Sequence, residues 1–138
     1  MSAVKSQNTK PEMTLRQKLW HNGIRGYRLH ARIEGHPDLY FPGARLAVFV
    51  DGCFWHGCPA CKTIPRTREE FWSRKIRANR ERDCAVDADL TKSGIMVVRM
   101  WEHEVLGNPE QCSDRVALML QERRNMRRGP GHRVGRLL

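Results

Sequence analysis

No run of apolar residues in this 138-residue chain approaches the roughly 20 that a membrane-spanning helix needs, which excludes a spanning helix. The first residues, MSAVKSQNTKPEMT, contain no apolar h-region, so no secretory signal is expected. Internal repeats are absent, which sets aside repeat architectures. Acids are scarce: 15 Asp and Glu stand against 25 Lys and Arg, a net charge of +10. From Arg123 onward there is no acid at all, and the arginines at 123, 124, 127, 128, 133 and 136 give that stretch +6. Such a segment either solubilises the chain or follows a phosphate backbone, gaining affinity by releasing counterions.

What is present points to one folded unit. The length suits a single compact domain, and four Trp with 40% hydrophobic residues argue against a wholly disordered chain. The expected organisation is a domain over residues 1–122 and a basic tail over 123–138, a monomer in the cytoplasm with no membrane partner.

Hydrophobic periodicity sketches the elements. Pro11 suits the first turn of a helix carrying Met13, Leu15, Leu19 and Trp20, which Asn22-Gly23 ends. Residues 27–32 alternate as a strand does, residues 38–41 read as a second strand, and Pro42-Gly43 as a hairpin turn. Residues 46–50 are a continuous apolar run that fits a strand covered on both faces. Residues 52–65 read as a loop. Thr67 is a candidate N-cap for a charged helix ending near Lys92, followed by a buried-type strand over 95–100 and a last helix from Pro109. The order is α-β-β-β-loop-α-β-α, an α/β fold with a mixed sheet flanked by helices.

Five cysteines stand at 53, 58, 61, 84 and 112. In a reducing compartment the cluster Cys53, Cys58 and Cys61, spaced C-x4-C-x2-C, reads as metal-binding, because a short turn can aim two thiolates at one tetrahedral ion. The fourth ligand lies elsewhere, with His56, His103, Cys84 and Cys112 as candidates. Cys84 and Cys112 fall in helical patterns, where a small buried apolar role is the ordinary one.

A second constellation is acidic. Asp38 precedes the central strand and Asp51 ends it, and two carboxylates so placed can share a Mg²⁺, with Glu12 available from the first helix. Asp at a hairpin turn is also common without a metal. His56, between the cysteines, suits general-base work on water or a place on the zinc. Phe54 and Trp55 either close the base of the loop or wedge between base pairs. Trp72, Lys75, Asn79 and Arg82-Asp83 share one helix face, a solvated or a contact surface.

Together these residues resemble one family. Asn8-Thr9-Lys10-Pro11-Glu12, His36-Pro37-Asp38, the block from Val48 through Asp51-Gly52-Cys53-Phe54-Trp55-His56-Gly57-Cys58-Pro59, and Trp101-Glu102 are similar to the very-short-patch repair (Vsr-type) DNA mismatch endonucleases. Phe71-Trp72, Lys75-Ile76, Asn79 and Glu81-Arg82-Asp83 extend the likeness across residues 5–107. The resemblance implies a PD-(D/E)xK restriction-endonuclease-like fold with a structural zinc, and Mg²⁺-dependent nicking of one strand of double-stranded DNA 5′ of the T in a T·G mismatch. It implies Asp38 as the principal magnesium ligand, His56 as general base, and Glu12 and Asp83 as supporting acids. Phe54, Trp55 and Trp72 match the wedging aromatics, with Lys75, Asn79 and Arg82 on the same DNA-facing side. Cys53, Cys58, Cys61 and His103 fall at the zinc positions.

Several positions depart from the family pattern. Val50 stands where some members carry Thr, so only its backbone carbonyl can serve magnesium, and Asp51 either takes a larger share or is a turn residue. Cys53 occupies the place of the lysine common in PD-(D/E)xK nucleases, leaving that role to His56. Cys58 replaces a histidine of some members, which keeps a good zinc ligand. Two alternatives share these residues: a Vsr-like nicking or homing-type endonuclease without mismatch specificity, and a non-catalytic zinc-stabilised DNA-binding module.

Overall fold

The computed structural model describes residues 8–61 and 65–127. Its first helix, α1 (Lys10–His21), starts where the sequence supplies a cap: Thr9 Oγ1 accepts the Glu12 N–H at 3.4 Å, and Pro11 occupies the first turn. Pro11, Glu12, Leu15 and Leu19 form its buried face, and the helix ends at Asn22 before Gly23 at φ +81°. Trp20 does not join that face. It lies 58% exposed, covered by the Arg25 guanidinium 3.5 Å from its ring centroid.

Four strands follow in the spatial order of the sequence: β1 (Arg28–Leu29), β2 (Leu39–Phe41), β3 (Leu46–Asp51) and β4 (Met96–Trp101). β1–β2 and β2–β3 are antiparallel, with Leu39 opposite Val48, and β3–β4 is parallel, with Val48 opposite Val98 and Asp51 opposite Trp101. The mixed α/β architecture expected from the sequence is therefore present. β1 is shorter than the alternation over 27–32 suggests, because His30 adopts φ +50° and leaves the extended region.

The apolar run of β3 is covered on both faces. Leu46 and Val48 pack with Leu15, Leu19, Val98, Met100, Val105 and Val116. Ala47 and Phe49 pack on the other side with Leu90 and Ile95. A parallel pair needs a long crossover, and α3 (Glu69–Lys92) provides it. Its N-cap is Arg68, in left-handed conformation, one residue past the Thr67 expected from the sequence.

Two helices escape the periodicity. α2 (Cys53–His56) is a single turn inside the expected loop, and it ends at Gly57, φ +71°, where a Cβ would come within 2.6 Å of the Ile76 side chain. α4 (Glu102–Gly107) follows β4 directly, its first turn closed by the Trp101 N–H donating to Glu104 Oε1 at 2.9 Å. α5 (Pro109–Arg127) runs five residues into the basic stretch, and Arg123 donates to the carbonyls of Ala44 at 2.9 Å and Gly94 at 2.7 Å. Among the described residues no helix is long and apolar enough to cross a membrane.

Candidate active site

The end of β3, the turn of α2 and the middle of α3 converge on one cleft of about 550 Å³, lined by Asp38, Val50, Asp51, Trp55, His56, Asp83, Arg99 and Glu102 among others. Sheet register explains the meeting. Asp38 immediately precedes β2, and its Oδ2 accepts the Val50 N–H at 2.7 Å, which fixes the carboxylate beside the end of β3. Asp51 closes β3, and the following Gly52 begins the α2 turn that carries Cys53, Phe54, Trp55 and His56.

Glu12, His30 and Asp38 form the first cluster, offering ligand atoms within 4.8 Å of one another. Glu12 is only 1% exposed, yet it is fully partnered. Its Oε1 accepts the Asn8 N–H at 2.9 Å, and its Oε2 meets Arg16 Nη1 at 3.1 Å and His30 Nε2 at 2.6 Å. Burial pushes the Asp38 carboxyl up to about 6. The Val50 N–H opposes that shift, the charges of Glu12 and Asp51 add to it, and His30 offsets part of it.

Asp51, His56 and Asp83 form the second cluster. His56 Nδ1 lies 2.6 Å from Asp83 Oδ2, and its Nε2 is 4.0 Å from Asp51 Oδ1. Arg99, from β4, reaches both acids: Nη1 is 3.0 Å from Asp51 Oδ1 and 3.9 Å from Asp83 Oδ1. Burial raises the Asp51 pKa above the usual carboxylate value, against the pull of His56 and Arg99.

The third cluster is Cys53, Cys58, Cys61 and His103. His103 Nδ1 lies 3.3 Å from Cys53 Sγ and 3.6 Å from both Cys58 Sγ and Cys61 Sγ. Tetrahedral zinc with usual bond lengths holds nitrogen and sulfur ligands about 3.5 Å apart, so the donor set fits such an ion. Burial pushes the Cys53 thiol up to about 12, so a bound cation is what would keep it a thiolate. His103 is carried by α4, which explains how a residue 42 positions beyond Cys61 completes the set. Glu102, its neighbour, accepts the Cys53 N–H at 2.8 Å and ties the start of α2 to the start of α4. The other candidates for fourth ligand lie apart: His56 pairs with Asp83, Cys84 is exposed on α3, and Cys112 is buried in the main core.

An aromatic cluster adjoins the cleft through Trp55 and forms its rim there. Phe54 and Trp55 contact Trp72 edge-to-face, with centroids 5.4 Å and 6.0 Å away, and Phe71, 40% exposed, contacts Trp72 at 5.0 Å. Asn79 Nδ2 donates to the Trp55 carbonyl at 2.8 Å, clamping α2 to α3, and Arg82 Nη1 donates to Asn79 Oδ1 at 3.1 Å. Lys75 is exposed on the same helix.

The residues singled out from sequence thus gather in one cleft, one metal-type cluster and one rim. His30, Arg99 and Asp87, which takes three hydrogen bonds from Arg99, were not foreseen. His30 carries no spacing signal. Arg99 does: a lone charge within the apolar run of β4 has to find a partner.

A family model described as DNA mismatch endonuclease Vsr matches residues 1–62. The chain belongs to the Vsr family. It is 44% identical over 111 residues to the type II nicking enzyme V.NaeI of Lentzea aerocolonigenes, covering 77% of this chain and 67% of that protein. It is 44% identical over 108 residues to the type II nicking enzyme V.XorIIP of Xanthomonas oryzae pv. oryzae, covering 76% and 78%. With the DNA mismatch endonuclease Vsr of Escherichia coli K12 it shares 32% identity over 124 residues, 88% of this chain and 79% of that one.

Proposed function

We propose that this chain is a Mg²⁺-dependent DNA endonuclease that nicks one strand of a duplex 5′ of the T in a T·G mismatch, acting as a cytoplasmic monomer on a PD-(D/E)xK-like frame. The observation that carries the reading is the His56–Asp83 pair at 2.6 Å, set in the same cleft as Asp38 and beside the aromatic rim. Asp83 accepts from Nδ1 and fixes the ring, which leaves Nε2 to take a proton from the attacking water. Asp38 and the Val50 carbonyl are the groups that would hold magnesium, with Glu12 and His30 alongside. When bound, such an ion neutralises charge at the scissile phosphate and acidifies water.

Cys53, Cys58, Cys61 and His103 would hold a structural zinc that keeps α2, and so His56, in place. Phe54, Trp55 and Trp72 would enter the base stack, which costs least where pairing is already poor. Lys75, Asn79 and Arg82 would face the same DNA, and Asp51 supports the water-activating histidine from its other side.

A second reading is strand nicking that does not depend on a mismatch, since the relatives at 44% identity are described as type II nicking enzymes. Strand nicking on T·G, A·T and G·C versions of one duplex, with and without Mg²⁺, separates the two. The proposal expects cleavage of the T·G duplex alone, and equal cutting of matched duplexes overturns the mismatch assignment.

A further inference from the structure

Arg99 is the only charged residue of β4, and it is placed where a metal ion would otherwise fit. Asp51, His56 and Asp83 offer ligand atoms within 4.8 Å of one another, a donor set of the kind divalent cations use. The guanidinium already occupies that neighbourhood. Its Nη1 donates to both oxygens of Asp51, at 3.0 and 3.1 Å, and lies 3.9 Å from Asp83. Its Nε and Nη2 grip Asp87 at 2.7–3.0 Å, and its face lies 4.1 Å above the Phe49 ring. Strand register dictates this seat: Phe49 and Arg99 are paired across β3 and β4, while Asp83 and Asp87 stand one turn apart on α3.

A divalent ion on Asp51 would lie about 2–2.5 Å from its oxygens, hence within about 5 Å of a fixed positive charge in a partly buried site. It would also compete with the hydrogen bonds Arg99 already makes there. The other end of the cleft differs. Among the described residues no Lys or Arg pairs with Asp38, whose Oδ2 is met by the neutral Val50 N–H.

We propose that Arg99 is the resident cation of the Asp51–His56–Asp83 half of the cleft, so that divalent ions bind at the Asp38 end and none binds between Asp51 and Asp83. Arg99 is then a positioning residue. It balances the acids around His56, bonded to Asp51 and 3.9 Å from Asp83, whose carboxylate in turn orients the imidazole. The inference rests on the cation-dependent reading above, and the two fail in different ways.

The test is the place of Mn²⁺ ions in crystals of the zinc-loaded protein bound to duplex DNA and soaked in Mn²⁺, read by anomalous diffraction, because substrate phosphates complete such sites. Wild type should show Mn²⁺ beside Asp38 and none between Asp51 and Asp83. Arg99→Met, which keeps length and removes charge, should gain an ion between Asp51 and Asp83, and Arg99→Lys should not. Adding Asp51→Asn to Arg99→Met should remove that ion. An ion between Asp51 and Asp83 in the wild type, or none there in Arg99→Met, overturns the inference. Because the wild-type map alone can do so, a variant that fails to fold leaves the proposal exposed. No Mn²⁺ in the wild-type cleft overturns the cation-dependent reading itself, and this inference with it.

Discussion

Asp38 accepts the Val50 amide at 2.7 Å across the β2–β3 hairpin, and this single bond holds a carboxylate that burial otherwise penalises. The consequence is a pH-dependent cost to the fold. The Asp38 carboxyl rises from an ordinary 3.8 to about 6, so the folded state binds its proton more tightly than the unfolded state. Stability therefore falls as pH rises from about 4 to about 6 and stays lower above that, by about 3 kcal/mol at most. Asp38→Asn keeps an oxygen for the Val50 amide and carries no charge. Without added metal it should melt above the wild type at about pH 7.5 and with it near pH 4, while nicking is lost. Thermal melts at the two pH values check this, and an Asp38→Asn deficit at high pH contradicts it.

Metal content tests the cysteine cluster. One zinc per chain should be lost on Cys53→Ser or His103→Ala and retained in Cys84→Ser and Cys112→Ser, which lie outside the cluster. Chelation should lower the melting temperature, since a closed tetrahedral site contributes folding free energy directly. Loss of zinc in Cys84→Ser or Cys112→Ser, with retention in His103→Ala, overturns the ligand set.

The basic C-terminal stretch divides in two. Arg123 is bonded to the Ala44 and Gly94 carbonyls, so Arg123→Ala should cost stability, on the order of 1–3 kcal/mol. Deleting residues 128–138 removes three arginines. It should weaken binding to every duplex and make the salt dependence of affinity shallower, by up to about one unit of slope per lost phosphate contact. Titrations at several salt concentrations decide it, and an unchanged slope makes those residues bystanders.

Trp55→Ala should separate recognition from chemistry. Trp55 packs edge-to-face on Phe54 and Trp72 and its ring is no part of the acidic clusters, so zinc and the cleft acids should survive its loss. Binding to a T·G duplex should weaken by 1–3 kcal/mol, a typical worth for one aromatic–base contact, and the preference over matched DNA should shrink. Competition binding with T·G and G·C duplexes measures both. An unaltered preference would assign Trp55 to packing alone.

Much of this was legible in the sequence because it depends on local pattern. The apolar run of β3, the Pro11 start of α1 and the C-x4-C-x2-C spacing each carry their reason within a few residues. What escaped depends on tertiary geometry. α2 is one turn long, too short for periodicity to register, and its Gly57 makes sense only against Ile76. α4 is six residues closed by the Glu104 side chain, and β1 stops at His30 because of a backbone angle no composition announces. The pairing of His30 with Glu12, and of Arg99 with Asp51 and Asp87, joins residues 18, 48 and 12 positions apart. Only the packing of α1 and α3 against the sheet, with the β3–β4 register, brings them together.

The account turns on His56, and one measurement tests it most directly: the single-turnover nicking rate of His56→Ala on a T·G duplex, with zinc content determined on the same preparation. Loss of a general base should lower the rate by about 10²- to 10⁴-fold while one zinc per chain is retained, because His56 is held by Asp83 and not by the cysteines. Near-normal nicking would contradict the account, and zinc lost with nicking intact would place His56 on the metal instead.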